Sequence, residues 1–589
     1  MSKLDGGDIF VRAIEAEGVK ILFGIADISY IPIFRAAEAR GLKIVGGRHE
    51  SANVHMADGW ARTTGEVAVA LGAMGPGVAN LVPGVITAWI EGIPVLVVGT
   101  QRTTRIHDSI LRGKFQHTPQ LDVFRPVTKF AAIVPDAAHI GEYVREAFRH
   151  MLTGRPGPAY LEINDDVLRQ KVADSDLEWP KPLAYRTSPP GPDPALIDEA
   201  ARILYQAAAP LIIAGDGVAR SGAEGALWRI VERTGAMAAS SVGSRGLLPE
   251  DRPQVLALMN ESAREAGKKA DVVFFAGAQP NELMGLGREP RWAPSGKQIW
   301  IQLDSDPLMI GVNRPIEIAL VGDAKKGLEA LDAALASRGP QRPMGETAKK
   351  ISEALQAERN DLIEKLGRRE DAPIHPARLA FEVGGYFGPN AIACFDGGNT
   401  VVWAHLFHRF LRPRSFLWTS HFGHLGTGLP YAVAAKLAAP DRPVYLFTGD
   451  GALGFNLQEM ETAARARANI VVVVNCDYAF AMEHLGQVTE MGKIIGVRTS
   501  PIRFDQIAQG MGWHGERVER PDAIRPALER ASGAGKPALV QVNVNPDFNI
   551  EPPGLLELGR MYAGITRPWE TPLNQALGYV KYKLGGGGD

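Results

Sequence analysis

Short apolar runs alternate with amphipathic stretches along almost the whole chain. The apolar runs are rich in β-branched residues, as in IPVLVVG (93–99) and NIVVVVN (469–475), and stretches with a helical spacing of apolar positions separate them. Continuous apolar strands between helices are typical of parallel sheets that are covered on both faces. The pattern therefore predicts an α/β fold built from doubly wound parallel sheets.

Two stretches interrupt this alternation. Residues 177–194 (LEWPKPLAYRTSPPGPDP) are proline-rich and lack periodicity, which indicates a linker. Residues 336–376 contain a charged helix between polar loops and suit a second connector. We therefore expect three α/β domains and a C-terminal tail, at 1–175, 190–340, 370–550 and 551–589. The tail is rich in Tyr, Trp and Leu, which favours packing over disorder.

Length and charge narrow the class of partner. A chain of 589 residues is too long for one core. Its 64 basic and 66 acidic residues give a net charge of -2, so nothing favours nucleic acid or an anionic membrane as a partner. We expect the partner to be a small molecule.

Cysteine content and hydropathy suggest the compartment. Cys394 and Cys476 are too few for a disulfide framework or a cysteine metal cluster, which fits a reducing compartment. The first residues form a helical pattern with acids and lack the apolar run of a signal peptide. The most apolar region, 80–100, is broken by two prolines and a glutamate, which argues against a membrane span. We expect a cytoplasmic protein.

The segment FTGDGALG (447–454) is the first candidate for chemistry. An apolar strand leads into Gly449-Asp450-Gly451, and a helical pattern follows. Glycines allow close approach of an anion, and free N–H groups at a helix start favour phosphate oxygens. A carboxylate beside such a site suits Mg²⁺, which binds few protein oxygens together with substrate phosphates. Alone the triplet is weak evidence, because it recurs at 215–217, where we expect a structural turn.

The spacing beyond this turn resembles the thiamine diphosphate motif of the acetohydroxyacid synthase and oxalyl-CoA decarboxylase superfamily. In that motif GDG is followed about 26 residues later by a pair that is usually Asn-Asn, whereas here the pair is Cys476-Asp477. The resemblance implies that Asp450, Asp477 and the backbone carbonyl of Ala479 hold Mg²⁺, with Asn475 as the alternative to Asp477. It also implies cofactor contacts from the residues of the turn: Gly449, Gly451, Ala452 and Leu453.

A second segment, GGRHESANVHMADGWARTTG (46–65) with the residues up to 101, is similar to the pyrimidine-binding domain of the same superfamily. The resemblance implies that Glu50 hydrogen-bonds the aminopyrimidine ring and favours the imino tautomer that removes the thiazolium proton. General acid–base work of this kind is favoured by a desolvated carboxylate. The alternative is a helix-start carboxylate near Arg48 or Arg62.

Two further segments resemble cofactor-binding parts of the third domain. In CFDGGNTVVWAHLF (394–407), Asn399 and Thr400 stand where a polar pair contacts the phosphates; each could instead be a plain helix N-cap. In HFGHLGTG (421–428), the resemblance implies that the Gly423 carbonyl holds the 4′-amino group and that Leu425 supports the bent cofactor. The alternative for Leu425 is a core leucine.

The segment LRGKFQHTPQ (111–120) resembles one in which Phe-Gln-Glu reaches the active site of the synthases, but His117 replaces the glutamate. Gln116 and His117 are therefore candidates for catalytic work near the substrate, and a surface-loop histidine is the alternative. In the related CoA-using decarboxylases the C-terminal segment folds over the thioester. That resemblance implies lid contacts from Tyr562 and Trp569, although the tail could instead be an oligomerisation arm.

Three functions remain open. The tail and the Asn-Thr pair favour a 2-hydroxyacyl-CoA lyase that releases formyl-CoA and an aldehyde or ketone. Phe115-Gln116 and Trp403 favour an acetohydroxyacid (acetolactate) synthase-like carboligase acting on pyruvate, and a 2-oxo acid decarboxylase is kept beside it as an alternative. A catalytically silent scaffold is the third, and retention of Glu50 and Asp450 argues against it.

The resemblance extends over about residues 1–550 and is weaker in the middle domain. Related middle domains bind ADP or CoA, bind FAD, or bind nothing, and we expect ADP or CoA before FAD. In the superfamily the cofactor lies between the first domain of one chain and the third domain of another. This implies a homo-oligomer, either a dimer or a homotetramer, with a small-molecule substrate that we expect to be an acyl-CoA.

Overall fold

The computed structural model describes residues 3–258, 260–549 and 572–584. Its framework is three six-stranded sheets with α-helices packed against them, and every pairing between neighbouring strands of these sheets is parallel. The predicted α/β fold is confirmed. No helix in these described ranges combines the length and apolar character needed to span a bilayer. The two predicted tail contacts, Tyr562 and Trp569, lie outside the described residues.

The first sheet belongs to a compact unit formed by Met1–Pro189, Thr419–Asp441 and Asn456–Ile470, called here the first unit. In spatial order its strands are Lys43–Val45, Ile21–Gly24, Ala68–Gly72, Val95–Gly99, Ala159–Glu162 and Phe130–Ile133. The α-helices of this unit are Gly6–Ala16, Ile31–Ala39, Glu50–Thr64, Pro76–Glu91, Thr104–His107, Gln120–Phe124, Ile140–Leu152, Asp165–Arg169, Gly428–Ala438 and Glu459–Arg465. A short antiparallel pair joins Lys3–Asp5 to Lys171–Ala173.

The remaining residues form the second unit, which contains two sheets. In spatial order the middle sheet consists of Val255–Leu256, Met237–Ser240, Pro210–Ala214, Val272–Ala276, Ile299–Asp304 and Ile318–Val321. Alternate residues of its strands face opposite sides, since Ile212 and Phe274 belong to one buried cluster and Leu211 and Phe275 to another. This sheet is therefore covered on both faces, as a doubly wound fold requires.

The third sheet lies in the second unit as well. Its spatial order is Phe416–Leu417, Ile392–Asp396, Val444–Gly449, Val471–Cys476, Ala538–Asn543 and His514–Val518. The α-helices of the second unit are Pro194–Gln206, Asp216–Ser221, Glu224–Thr234, Glu261–Lys269, Ala324–Ala336, Glu346–Leu362, Pro376–Phe387, Asn399–Phe407, Asp450–Leu453, Ala481–Met491, Phe504–Gly510, Ile524–Gly533, Pro546–Asn549 and Pro572–Leu584.

Strand order distinguishes the middle sheet from the other two. Numbered along the chain within each sheet, the first and third sheets both have the order 2-1-3-4-6-5. The middle sheet has the order 3-2-1-4-5-6, which is the order of dinucleotide-binding folds. In open parallel sheets of either kind, ligands bind outside the carboxyl ends of the strands. Residues that bind a ligand are therefore expected in the loops after those ends.

The last described helix, Pro572–Leu584, packs against helix Ala481–Met491. The buried Tyr582 hydroxyl lies 3.0 Å from Nε2 of the buried His484. Gly578 lies so close to the partner helix that an added Cβ would be 2.1 Å from the carbonyl oxygen of Thr489. The last described helix therefore packs within the second unit, against the helix that follows Asp477 in the chain.

Candidate functional site

The GDG turn joins a central strand of the third sheet to a short helix. Strand Val444–Gly449 ends at Gly449, and Asp450 opens the helix that follows. An added Cβ at Gly449 would lie 3.2 Å from Oγ1 of Thr400, and one at Gly451 would lie 3.0 Å from the ring of Phe480. Side chains at either position would fill the space beside the turn, so the glycines keep its backbone accessible.

Asp450 and Asp477 come together at the carboxyl ends of neighbouring strands. Asp477 directly follows strand Val471–Cys476, which pairs with the strand that leads to Asp450. The two residues are 5% and 3% exposed, and their carboxyl groups lie close enough to interact directly. Burial and the nearby Asp477 raise the pKa of Asp450 to about 7. Burial also raises the pKa of Asp477.

Two buried carboxylates in contact are unfavourable unless a proton or a cation lies between them. This pair therefore has the chemistry to hold a divalent cation such as Mg²⁺, which prefers carboxylate oxygens and completes its shell with phosphate and water. Among the described residues no cluster of three or more His, Cys, Asp or Glu side chains forms a metal site. A cation at the pair would thus need ligands from elsewhere, which a bound diphosphate can supply.

The alternative ligand Asn475 lies on the side of the third sheet that faces helix Asn399–Phe407. Its Nδ2 donates to Oγ1 of Thr400 at 3.1 Å and to Oδ1 of Asn549 at 3.2 Å. Asp477, the other candidate ligand, accepts the backbone N–H of Ala479 at its Oδ1, at 3.1 Å. Because the carboxyl group of Asp477 is the one that interacts with Asp450, the contacts favour Asp477 over Asn475 as its partner.

Asn399 and Thr400 are the first two residues of helix Asn399–Phe407, and both are buried. The N-cap position belongs to Gly398, whose cap has no side-chain hydrogen bond. Neither side chain is therefore used as a plain N-cap. Asn399 Oδ1 and Asn475 Oδ1 are buried without a hydrogen-bond partner among the residues described. These polar groups lie at the start of a nine-residue helix and beside the glycine turn. Their position fits the binding of a diphosphate with its metal ion.

Glu50 is placed in the first unit at the start of helix Glu50–Thr64. Its Oε2 accepts a hydrogen bond from Nδ2 of Asn80 at 3.1 Å, and an added Cβ at Gly77 would lie 2.6 Å from its Oε1. Arg62, one of the two predicted alternatives as a partner, forms an ion pair with Asp58 at 2.6 Å. The buried Glu50 side chain therefore lies beside the first turn of helix Pro76–Glu91, where its carboxyl group is available to accept or donate a hydrogen bond.

The turn before Glu50 is fixed by a residue that sequence analysis did not identify. Glu459 accepts hydrogen bonds at its Oε1 from the backbone N–H of Arg48 at 2.9 Å and of His49 at 3.1 Å. Burial raises the pKa of Glu459. The only signal in the sequence was its position nine residues after Asp450, which gave no reason to connect it with His49 and Glu50.

The backbone of Gln116 and the side chain of Glu50 both lie near the start of helix Pro76–Glu91. The backbone of Gln116 has a φ of 55°, and an added Cβ at Gly75 would lie 2.4 Å from the Gln116 carbonyl oxygen. Gln120 holds this arrangement, since its Oε1 accepts the Gly75 N–H at 3.3 Å. The Gln116 side chain itself is exposed. The structure therefore brings the segment that contains Gln116 next to the glycine loop that contacts Glu50.

His117 is half-buried, and its ring centroid lies 5.4 Å from that of His107. Burial lowers the pKa of His117, and the nearby Lys114 and His107 lower it further. The imidazole is therefore held in its neutral form near pH 7, in which one ring nitrogen can accept a proton.

The loop that contains Gly423 and Leu425 is tied to helix Pro76–Glu91. Glu91 Oε1 accepts the backbone N–H groups of His421 at 2.8 Å and Phe422 at 2.9 Å. Gly423 has a φ of 65°, which favours glycine, and Leu425 is half-exposed. The half-exposed Leu425 does not match the alternative of a core leucine. Glu91 was not identified from the sequence.

The candidate residues thus form two sets. The first unit holds one set, consisting of Glu50, Gln116, His117, Gly423 and Leu425. The second unit holds the other, consisting of Asn399, Thr400, Gly449, Asp450, Gly451, Ala452, Leu453, Asp477 and Ala479. Each set combines glycine-controlled backbone with buried polar side chains at the carboxyl ends of parallel strands.

Three models of one family match the chain. They are the thiamine pyrophosphate enzyme N-terminal TPP binding domain at residues 4–124, the central domain at 197–331, and the C-terminal TPP binding domain at 396–542. Together they cover more than half of the chain, and their order matches that of the three sheets.

Curated relatives match over almost the full length. A probable acetolactate synthase large subunit from Methanocaldococcus jannaschii is 31% identical over 582 residues, covering 94% of each chain. A sulfoacetaldehyde acetyltransferase from Castellaniella defragrans is 29% identical and covers 91% of each chain. A 2-hydroxyacyl-CoA lyase from Oryza sativa subsp. japonica is 28% identical, covering 92% of this chain and 96% of that protein. The chain belongs to the thiamine pyrophosphate enzyme family, and its two sets of site residues lie in the two TPP binding domains of that family or next to them.

Proposed function

We propose that this thiamine diphosphate-dependent enzyme is a carbon–carbon lyase that cleaves a 2-hydroxyacyl-CoA to formyl-CoA and an aldehyde or ketone. The observation that carries the cofactor assignment is the buried Asp450–Asp477 pair at the ends of neighbouring strands. Support for the lyase comes from the Asn399-Thr400 pair and from the C-terminal helix Pro572–Leu584, which packs beside the segment after Asp477. Relatives named 2-hydroxyacyl-CoA lyase match over 92% of the chain.

Bound thiamine diphosphate supplies a nucleophilic carbon that adds to the substrate carbonyl and a ring that accepts electrons when the C–C bond breaks. Asp450 and Asp477 would hold Mg²⁺, with the carbonyl of Ala479 as a further ligand. The residues of the glycine turn and the pair Asn399-Thr400 would bind the diphosphate. Gly423 and Leu425 would orient the aminopyrimidine end.

Proton transfer is assigned to the first unit. Glu50 would hold the proton that the pyrimidine nitrogen needs, and its buried position at a helix start keeps that proton away from water. His117 is neutral near pH 7, so a ring nitrogen can accept the proton of the substrate's 2-hydroxyl group as the C–C bond breaks. Gln116 orients the carbonyl oxygen.

The middle domain is proposed to bind ADP or CoA rather than FAD. Its strand order, 3-2-1-4-5-6, supports a nucleotide at the carboxyl ends of its strands. We further propose that the protein is a homo-oligomer, a dimer or a tetramer, located in the cytoplasm, with an acyl-CoA as its small-molecule substrate.

A second candidate is an acetolactate synthase-like carboligase acting on pyruvate. The observation that favours it is Trp403, a residue shared with the synthase turn, which is buried and donates its indole N–H to the same Asn549 that contacts Asp477. Relatives named acetolactate synthase support this alternative too.

The deciding experiment incubates purified protein, Mg²⁺ and thiamine diphosphate with a short 2-hydroxyacyl-CoA and, in parallel, with pyruvate, and follows products by mass spectrometry. Formyl-CoA together with a carbonyl compound supports the lyase. Acetolactate from pyruvate, with the thioester unchanged, supports the carboligase instead.

The control variant is Glu50→Gln, which keeps the shape of the side chain and removes the exchangeable proton. An enzyme should lose turnover in this variant by about 100-fold or more while still binding thiamine diphosphate. A catalytically silent scaffold would show no product with either substrate, in the variant and in the wild type alike.

A further inference from the structure

Asn549 lies after the third-sheet strand Ala538–Asn543, which is the next neighbour of the strand that leads to Asp477. It is the last residue of the short helix Pro546–Asn549, and it is only 2% exposed. The carboxyl ends of three adjacent strands therefore deliver Asp450, Asp477 and Asn549 to one edge of the sheet. Neither the thiamine motif nor the proposed roles above assign a task to Asn549.

The side chain of Asn549 is hydrogen-bonded on both sides. Its Nδ2 donates to Oδ2 of Asp477 at 2.8 Å. Its Oδ1 accepts from the indole N–H of Trp403 at 3.0 Å and from Nδ2 of Asn475 at 3.2 Å. Its backbone carbonyl accepts from Nδ2 of Asn399 at 2.9 Å. Asn549 thus connects the candidate metal carboxylate with Asn475 through its side-chain amide and with Asn399 through its backbone carbonyl.

These bonds fix the orientation of the Asn549 amide. Two donors converge on Oδ1, so the NH₂ group has to face Asp477, and the indole that fixes this orientation belongs to helix Asn399–Phe407. Asp477 then has a donor on each oxygen, since Oδ1 accepts from Ala479 N–H and Oδ2 accepts from Asn549. A carboxylate held in this way keeps its rotamer, whereas a free carboxylate beside Asp450 would turn away from the like charge.

We infer that Asn549 is a positioning residue that holds Asp477 in the orientation in which it binds the divalent cation, and that it links this carboxylate to the helix that begins with the phosphate-binding pair. The inference rests on the proposed metal role of Asp477. Partners that hydrogen-bond a metal ligand raise metal affinity by fixing the ligand's geometry, and losing one costs about 10- to 100-fold in affinity.

The structure also offers a purely structural role for the same turn. Asn545 shapes it, because its Oδ1 accepts the backbone N–H groups of Asp547 at 2.9 Å and of Phe548 at 3.4 Å. Its side chain bonds the turn's own backbone, whereas the Asn549 side chain bonds Asp477. Asn545→Ala is therefore the matched control, since it loosens the turn while keeping the Asn549 amide.

The test measures the dissociation constant of Mn²⁺ by titration calorimetry in the presence of saturating thiamine diphosphate, for wild type, Asn549→Ala, Asn545→Ala and Trp403→Phe. Scanning calorimetry of each metal-free protein records its stability. We expect Asn549→Ala to weaken Mn²⁺ binding by about 10- to 100-fold and Asn545→Ala to stay within about threefold of wild type at a comparable loss of metal-free stability. Trp403→Phe should fall between them, since it frees Oδ1 of Asn549 and keeps the donor to Asp477.

Two results overturn the inference while leaving the proposed function intact. One is Mn²⁺ binding by Asn549→Ala within about threefold of wild type; the other is an equal loss in Asn549→Ala and Asn545→Ala. If wild type itself binds no Mn²⁺ with thiamine diphosphate, the metal assignment of Asp450 and Asp477 is wrong and the inference fails with it.

Discussion

The hydroxyl of Tyr431 donates a 2.8 Å hydrogen bond to Oδ2 of Asp58, across 373 residues of sequence. Asp58 Oδ1 also accepts from Arg62 at 2.6 Å, and both Asp58 and Tyr431 are fully buried. Burial raises the pKa of Asp58, and the positive charge of Arg62 opposes that rise. The Tyr431 bond therefore joins helix Gly428–Ala438 to helix Glu50–Thr64, the helix that begins at Glu50.

The first prediction concerns this bond. Tyr431→Phe should lower the free energy of unfolding by about 1–3 kcal/mol, because a buried carboxylate oxygen loses its donor. Urea unfolding followed by circular dichroism measures the effect. Tyr143→Phe, at a partly buried position, is the control and should change stability by less than about 0.5 kcal/mol. Equal effects of the two substitutions would show that the Tyr431 hydrogen bond makes no specific contribution to the free energy of unfolding.

The second prediction concerns the carboxylate pair without metal. In the folded protein the pKa of Asp450 is raised to about 7 from its usual 3.8, so between these values the folded state binds more protons than the unfolded state. Stability should then fall as pH rises through this window. Asp450→Asn removes the titrating group. We therefore expect the metal-free variant to lose less stability than the metal-free wild type as the pH rises from about 5 to about 7.5.

Scanning calorimetry measures the stability of wild type and Asp450→Asn, first without ligands and then with Mg²⁺ and thiamine diphosphate. The ligands should raise the melting temperature of the wild type, because anything that binds only the folded state stabilises it. They should leave Asp450→Asn nearly unchanged. A variant that is still stabilised by the ligands to the wild-type extent would contradict the metal role of Asp450.

The third prediction concerns Glu91, which holds the loop of Gly423 and Leu425. Glu91→Ala removes the acceptor of two backbone N–H groups and should weaken thiamine diphosphate binding by about 10-fold or more, since hydrogen bonds to charged groups contribute about 1.5–3 kcal/mol. Quenching of intrinsic fluorescence reports the dissociation constant. Glu91→Gln keeps an acceptor oxygen and should lose less affinity. If Ala and Gln behave alike, the backbone bonds are not what positions the loop.

The fourth prediction concerns the attachment of the C-terminal helix. Gly578→Ala places a Cβ 2.1 Å from the Thr489 carbonyl oxygen, so helix Pro572–Leu584 has to move away from its partner helix. We expect faster hydrogen exchange at Tyr582 and its neighbours, measured by mass spectrometry. Gly486→Ala on the partner helix is the control, because an added Cβ there meets no atom within 4 Å. Unchanged exchange in Gly578→Ala would mean that the helix is held elsewhere.

Much of the fold follows from local pattern. The run IPVLVVG contains the observed strand Val95–Gly99, and NIVVVVN contains most of strand Val471–Cys476, because a continuous β-branched run has few alternatives to a buried strand. The nearness of Asp450 and Asp477 also follows from sequence, since each residue comes directly after a strand of the predicted parallel sheet. The resemblance to a known motif added their expected role.

The partners of the site residues do not follow from sequence. Glu459, Glu91 and Asn549 each reach a segment distant along the chain, and such contacts depend on which strands and helices become neighbours in space. Asn549 illustrates the difficulty. Its position beside Asp477 depends on strand Ala538–Asn543 pairing with strand Val471–Cys476, and no spacing rule connects two strands more than 60 residues apart.

The first and third sheets share one strand order, so loops at equivalent positions of the two sheets can be compared. In both sheets the third strand along the chain ends in a glycine loop: Ala68–Gly72 leads to the loop beside Glu50, and Val444–Gly449 leads to Asp450. Under the proposed function, this one topological position serves proton transfer in the first sheet and metal binding in the third.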